Sequence, residues 1–146
     1  MMSMAMPRVS VVVPTYRRPD LLERCLAALL HQTLACESYE IIVCDDGPSD
    51  EVRDVVGTAR SGAAPCPNIR YVAVVETQGP AGARNKGWRA ALAPIIAFTD
   101  DDTIPDPGWL EGGLDAMTAD ADAAVGTIQM PLPPRPTDLE RDAARL

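Results

Sequence analysis

The sequence is poor in the residues that support metal-thiolate and nucleophile-histidine chemistry. It has one histidine, His31, which we expect in the last turn of the first predicted helix, a position that favours a helix-end role over catalysis. Its four cysteines, Cys25, Cys36, Cys44 and Cys66, form no C-x-x-C pair. We therefore expect neither a zinc site nor a disulfide framework, and this cysteine usage favours a reducing compartment. No serine or cysteine has a histidine partner that the sequence identifies.

Positive charge and long apolar runs are also scarce. Thirteen basic residues face 21 acidic ones, a formal charge of -8 that disfavours nucleic-acid partners and anionic membrane surfaces. No apolar run approaches the ~20 residues needed to cross a bilayer, and no signal peptide is recognisable at the start. The sequence predicts a soluble, cytoplasmic segment without a membrane span, compatible with a full-length protein at the inner face of the membrane.

Short apolar runs alternate with amphipathic stretches along the chain. The runs predict strands at 9–13, 39–44, 69–75 and 95–98, with Pro14 ending the first, and a further strand at 123–130. Helices are predicted at 20–30, from 50 with Ser49 as its cap, at 81–92 and at 107–117. This alternation predicts an α/β, Rossmann-like fold, a mostly parallel sheet flanked by helices. Residues 1–130 form its core, and 131–146 a proline-rich connection to a further region.

The strongest chemical signal is Asp100-Asp101-Asp102, directly after an apolar strand. Three adjacent carboxylates repel one another, and a hard divalent cation, Mn²⁺ or Mg²⁺, would neutralise them. Alternate residues of an extended loop point the same way, so Asp100 and Asp102 are the predicted metal ligands. Asp101 then faces either a sugar or the scaffold. The alternative for the whole triplet is a solvated loop.

A second acidic segment, Asp45-Asp46-Gly47, ends the neighbouring predicted strand. A carboxylate there can accept the imide N–H of a uracil-like base or a ribose hydroxyl. An Asx-type turn with Gly47 at positive φ is an equal alternative. Arg84 and Asn85 follow a glycine-rich stretch at the start of a predicted helix, which suits an anion site. For Arg84 a surface salt bridge remains the alternative.

Four segments together resemble the family 2 glycosyltransferases of the GT-A fold. They are VSVVVPTYRRP, YEIIVCDDGPSD, QGPAGARNKGWRAA and IIAFTDDDTIPDPGWL, in the order and spacing of that family. The resemblance implies that residues 1–130 are a nucleotide-sugar-binding domain. Two positions depart from the family pattern, since Arg17 stands where Asn is frequent and Pro48 where Ser is frequent.

The resemblance implies a role for each matching residue. Pro14, Thr15 and Tyr16 would border the nucleotide, Asp46 with Asp45 beside it would meet the base, and Arg84 and Asn85 would lie near the diphosphate or sugar. Asp100 and Asp102 would be the D-x-D pair, with Asp102 the main metal ligand. Asp101 is included among the donor-contacting residues.

The resemblance also implies a reaction. The protein would be a metal-dependent, inverting hexosyltransferase that takes a UDP- or GDP-sugar and a glycan or lipid-linked acceptor, as in cell-envelope polysaccharide synthesis. A general base would deprotonate the acceptor hydroxyl. We expect that base beyond Leu146, so that residues 1–146 alone are weak or inactive in transfer.

Other classes share parts of this pattern. A non-catalytic nucleotide-binding module remains open as an alternative function. A receiver-like signalling domain ranks lower, because such domains carry paired acids after the first strand, where this sequence has Pro14-Thr15-Tyr16. A nucleotidyltransferase would need a glycine-rich, lysine-bearing loop at the same place, and that loop is missing.

Overall fold

The computed structural model describes residues 6–76 and 79–131, which contain one parallel sheet. Its strands are β1 (Val9–Thr15), β2 (Tyr39–Asp45), β3 (Asn68–Ala73) and β4 (Ile95–Phe98). They lie in the order β3-β2-β1-β4, and every pairing is parallel. The predicted α/β fold is confirmed. Because the chain moves outward to β3 and then returns to β4, the strand order reverses between β1 and β4, the place where such sheets bind ligands.

The helices begin and end close to their predicted limits. They are α1 (Pro19–Leu29), α2 (Asp50–Ala63), α3 (Pro80–Ala90) and α4 (Trp109–Ala116), with a short 3-10 helix at Cys36–Ser38. The predicted cap of α2 is confirmed, since Ser49 Oγ accepts a hydrogen bond from the Val52 amide at 3.3 Å. His31 lies beyond the end of α1 rather than in its last turn, with Nδ1 2.6 Å from the Ala27 carbonyl oxygen.

Helix α3 lies unusually close to the sheet. It packs on β1 and β2, where a core cluster contains Val12, Ile42 and Cys44. A Cβ atom at Gly87 of α3 would overlap the Val12 side chain and lie 2.7 Å from Cys44 Sγ. Glycine is therefore required there so that the helix can approach the strands. This close packing fixes the distance between α3 and the sheet, and therefore the positions of the side chains in the first turns of α3.

One predicted strand limit and one predicted strand are wrong. Pro14 does not end β1, which continues to Thr15 with Pro14 opposite Cys44 of β2. A proline removes one backbone donor but keeps its carbonyl oxygen, so it need not end a strand. The strand predicted at 123–130 is absent: these residues are exposed and belong to no sheet. An apolar pattern makes a strand only where a neighbouring strand supplies hydrogen bonds, and none of the described residues does so.

The expectation that the cysteines form no disulfide is also wrong. Cys36 and Cys66 are joined by a disulfide, with their Cα atoms 5.4 Å apart. The two residues are 30 positions apart in sequence and meet only because β2 and β3 are neighbours. Local cysteine spacing cannot reveal such a pair. Cys25 and Cys44 are free and fully buried, as expected of small hydrophobic residues.

The chain divides into two compact units, Met1–Glu111 and Gly112–Leu146. The sheet and the predicted site residues belong to the first unit. Most of the predicted proline-rich connection at 131–146 lies outside the described residues. Across residues 6–76 and 79–131, no helix combines the length and the apolar character that a bilayer span requires.

Candidate functional site

The polar residues predicted from the strand ends meet at the carboxyl edge of the sheet. Thr15, the last residue of β1, lies opposite Asp45 of β2, and its carbonyl oxygen accepts the Asp46 amide at 2.9 Å. On its other side, Thr15 Oγ1 donates to Asp101 Oδ2 at 2.8 Å. Thr15 therefore bridges the acidic segments that follow β2 and β4. The two segments share one edge because β1 lies between their strands.

Within the aspartate triplet, Asp101 faces the scaffold. Its side chain is fully buried, accepts the Thr15 hydrogen bond and lies 2.7 Å from Arg18 Nη2. Burial raises the pKa of the Asp101 carboxyl, while the Thr15 hydrogen bond and the Arg18 charge act in the opposite direction. Of the two roles predicted for Asp101, the geometry favours the scaffold. Its assignment as a donor contact is not supported, because it has no exposed surface.

Asp100 and Asp102 are about half exposed, at 48% and 53% of their side-chain surface. Arg84 Nη2 lies 2.6 Å from Asp100 Oδ1, and Arg18 Nη1 lies 3.9 Å from Asp102 Oδ2. Two arginines thus relieve the repulsion for which the sequence argument invoked a divalent cation. The salt-bridge alternative for Arg84 is present in the structure, and its partner is a predicted metal ligand.

Arg18 is a further residue of this cluster that was not predicted from the sequence. It lies at the N-terminal cap of α1 and contacts two of the three aspartates. A signal was available, since three adjacent acids at a strand end require compensating charge from a neighbouring loop. The loop after β1 carries two adjacent arginines, Arg17 and Arg18. Choosing between them required the structure.

The exposed aspartates suit a hard cation in their chemistry but do not form a complete cage. In the described part of the chain, Cys36, Glu37 and Cys66 form a group whose three ligand atoms lie within 4.8 Å of one another. The three aspartates do not form such a group. Magnesium-type ions are commonly bound by one or two carboxylates together with substrate phosphates. Asp100 and Asp102 fit that arrangement, in which the ligand completes the coordination.

The neighbouring aspartates Asp45 and Asp46 differ in how fully they are hydrogen-bonded. Asp45 is fully buried and accepts from the Gly47 amide at 3.1 Å, the Ser49 amide at 3.4 Å and the Tyr71 hydroxyl at 2.7 Å. Its carboxylate is thus occupied by the turn, and the predicted base contact is not supported for Asp45. The Asx-type turn is present, although Gly47 is not in the left-handed region.

Asp46 has one carboxylate oxygen that is hydrogen-bonded and one that is not. Its Oδ2 accepts the Gly79 amide at 2.7 Å, whereas Oδ1 is buried and has no hydrogen-bond partner among the described residues. A buried carboxylate oxygen without a donor costs free energy, about 1–3 kcal/mol or more for a charged group. An N–H or O–H group from a ligand would remove that cost.

Tyr16 gives this edge an exposed aromatic surface. Its side chain is 51% exposed, and its ring lies so close to Gly47 that an added Cβ there would be 2.8 Å from Cε2. Gly47 is required for this close approach and not for its φ. The following residue, Arg17, has φ of 50° and lies over the Tyr16 ring. Of the three predicted nucleotide neighbours, Tyr16 is accessible, while Pro14 and Thr15 are buried.

Helix α3 brings one of its two predicted residues to the edge. Its N-terminal cap is Gly79 at φ 103°, a value that glycine tolerates and other residues rarely adopt. Arg84 reaches Asp100, as described above. Asn85 is exposed, and its Oδ1 accepts a hydrogen bond from Trp88 Nε1 at 3.2 Å. The structure therefore joins Arg84, but not Asn85, to the acidic cluster.

The parallel sheet flanked by helices matches the GT-A-type fold of solved glycosyltransferases. Residues 10–138 match Glycosyl transferase family 2. The chain belongs to this family. The receiver-like alternative is thereby excluded.

Relatives among characterised proteins are similar over most of this chain. Validoxylamine A glucosyltransferase from Streptomyces hygroscopicus subsp. jinggangensis is 41% identical over 121 residues, which are 82% of this chain and 28% of the relative. Glycosyltransferase AglE from Haloferax volcanii is 31% identical over 141 residues, which are 96% of this chain and 45% of the relative. The chain thus spans less than half the length of these relatives.

Solved structures of similar fold contain nucleotide ligands. Mannosyltransferase PcManGT from Pyrobaculum calidifontis, in complex with GDP-Man and Mn²⁺, superposes with a TM-score of 0.75 at 27% identity, covering 86% of this chain and 36% of that one. TarS 1-349 from S. aureus, in complex with UDP, gives a TM-score of 0.65 at 25% identity, covering 74% of this chain and 31% of that one.

Proposed function

We propose that the carboxyl edge of the sheet binds a nucleoside-diphosphate sugar together with a divalent cation, for transfer of the sugar to an acceptor hydroxyl with inversion. One observation carries the proposal. Two half-exposed aspartates, Asp100 and Asp102, lie on the same edge as the unpaired oxygen of Asp46, joined to it through Thr15. The relatives solved with UDP or with GDP-Man and Mn²⁺ support this class of ligand.

The base is assigned to the side of the edge formed after β2. Asp46 Oδ1 would accept the imide-type N–H of the base, a group that uracil and guanine both present. Tyr16 has a half-exposed ring close to Gly47, and a base would stack on it by displacing the Arg17 guanidinium that lies over the ring. These two contacts would orient the nucleotide.

The diphosphate and the cation are assigned to the side formed after β4. Asp102 and Asp100 would hold Mn²⁺ or Mg²⁺, and the cation would neutralise the charge of the leaving diphosphate when bound. Arg84, at the start of α3, is a second cation within reach of the same group. Thr15 and Arg18 hold Asp101 in the interior, so the loop presents its two outer carboxylates to the ligand.

The assignment covers the donor half of the reaction. On the acceptor side we propose a glycan or lipid-linked hydroxyl, in keeping with the cell-envelope role that the sequence resemblance implies. A non-catalytic binding module would use the same donor contacts without turnover. Binding and transfer therefore have to be measured separately.

Calorimetric titration of residues 1–146 with UDP and with GDP, in the presence and absence of MnCl₂, tests the proposal. We expect one nucleotide to bind more tightly with Mn²⁺, and Asp102→Asn to weaken that binding by roughly 10- to 100-fold. The matched control is Asp54→Asn, the same chemical change at an exposed position of α2, which should bind as the unmodified chain does. The proposal is wrong if neither nucleotide binds, or if Asp102→Asn binds as tightly as the control.

A further inference from the structure

The disulfide between Cys36 and Cys66 lies at the end of the sheet opposite the donor site. Cys36 opens the 3-10 helix that leads into β2, and Cys66 stands two residues before β3. The first paired residues of these strands, Glu40 and Asn68, lie side by side. The two cysteines are thus brought together by the start of the β2–β3 pairing.

These two cysteines differ from the other two in accessibility. Cys36 and Cys66 are partly exposed, whereas Cys25 and Cys44 are fully buried. Small disulfides therefore cannot reach either buried sulfur in the folded chain. Burial also raises the pKa of Cys44 to about 12, which keeps it a thiol at neutral pH.

We propose that Cys36 and Cys66 form a reversible thiol–disulfide site that a low-molecular-weight disulfide such as oxidised glutathione can close. The thiolate of one cysteine attacks a sulfur of the small disulfide and releases one reduced small thiol. The second cysteine then attacks the mixed disulfide and releases the other. The protein loses two electrons and two protons, and the small disulfide gains both.

Formation of the Cys36–Cys66 disulfide changes the stability of the fold and does not change the carboxyl edge of the sheet. The cross-link encloses the segment of 30 residues that contains β2 and α2, which restricts the unfolded chain. Asp45 and Asp46 lie at the far end of β2, about 20 Å away for a strand of this length. Oxidation should therefore raise the melting temperature while nucleotide affinity stays constant.

Thiol counting after equilibration with oxidised glutathione tests the site directly. The chain is kept in EDTA, denatured, labelled with a maleimide and weighed intact. We expect two labels, on Cys25 and Cys44, and four after reduction. A peptide containing Cys36 linked to Cys66 should appear in the non-reduced digest. Reduction should lower the melting temperature by about 5–10 °C.

The variant Cys36→Ser with Cys66→Ser is the control, because it removes the site and leaves the buried thiols in place. Its melting temperature should not respond to reductant. Four labels after glutathione treatment, or separate glutathione adducts on Cys36 and Cys66, would overturn the proposal. So would a linked pair whose reduction leaves the melting temperature unchanged. The result does not depend on donor binding, so it stands or fails apart from the proposed function.

Discussion

Buried carboxylate oxygens occur at each end of the sheet, and they differ in their hydrogen bonding. At the amino edge, Glu40 is 2% exposed, and both of its oxygens are hydrogen-bonded. Oε1 accepts from Ser10 Oγ at 2.6 Å and from the Leu92 amide at 2.9 Å, and Oε2 accepts from Arg70 Nη2 at 2.9 Å. At the carboxyl edge, Asp46 has a buried oxygen without a partner among the described residues.

The contrast separates acids that are fully hydrogen-bonded from an acid that retains an unpaired oxygen. A fully paired carboxylate has nothing left to offer a ligand, and removing it leaves its partners unpaired. A carboxylate with a free oxygen carries a cost that a ligand can relieve. Hydrogen-bond satisfaction therefore distinguishes Glu40 and Asp45, which are fully paired, from Asp46 better than the number of acidic residues does.

The largest effect is expected at the amino edge. Glu40→Ala should lower the free energy of unfolding by about 3–5 kcal/mol, because it leaves the partly buried Arg70 guanidinium without its carboxylate. Urea denaturation measures this. The control Glu23→Ala, at an exposed position of α1, should change stability by less than about 0.5 kcal/mol. A loss at Glu40 no greater than the control would contradict the structural role of this network.

The next effect concerns Gly87, which holds α3 against the strands that connect the two edges. Gly87→Ala should cost about 1–3 kcal/mol, since the new methyl group overlaps Val12 and Cys44. Gly57→Ala is the matched substitution in α2, where an added Cβ meets nothing within 4 Å. It should raise the free energy of unfolding by roughly 0.5–1 kcal/mol. In thermal denaturation, Gly87→Ala should lower the melting temperature and Gly57→Ala should raise it. Equal effects would mean that α3 does not lie as close as described.

The adjacent aspartates sharpen the comparison within the carboxyl edge. Asp46→Asn should weaken nucleotide binding about 10-fold, because its Oδ1 is the proposed acceptor for the N–H group of the base. The change in stability should be small, because Oδ1 has no hydrogen-bond partner among the described residues. Asp45→Asn should instead lower stability by about 1–3 kcal/mol, because it disturbs the bonds to Gly47 and Tyr71. Calorimetry and urea denaturation on both variants separate the two roles. If Asp45→Asn weakened binding and Asp46→Asn lowered stability, Asp45 would be the binding residue and Asp46 the structural one.

The smallest effect is expected at Arg17, which adopts φ of 50° in the loop that carries Tyr16. Asparagine tolerates this region better than arginine does, so Arg17→Asn should stabilise the protein by roughly 0.5–1 kcal/mol. Arg24→Asn, within α1, is the comparison and should destabilise slightly, because asparagine is a poorer helix former than arginine. Differential scanning calorimetry resolves shifts of this size. No gain at Arg17 would show that its backbone conformation is not strained.

Much of the fold could be read from the sequence, because its signals are local. Apolar runs and helical periodicity gave four strands and four helices close to their observed limits. The strand at 123–130 failed because an apolar run does not contain its own partner. The Cys36–Cys66 pair was missed for the same reason, since its two members meet only through the pairing of β2 with β3.

The candidate site was only partly predictable. The sequence placed acidic residues after β2 and β4, and the parallel topology was enough to bring them to one edge. It could not say which acids face inward, because Asp45 and Asp101 differ from their neighbours only in the donors around them. Arg17 and Arg18 could not be told apart for the same reason, since the role of Arg18 depends on reaching a loop more than 80 residues away.

By itself, the sequence determined the alternation of strands and helices and the acidic character of the strand ends, since both follow from the order of residue types along the chain. Tertiary structure alone decided which carboxylates are paired with scaffold groups and which remain open, because a hydrogen bond requires two groups that the fold, and not the sequence order, brings within 3 Å.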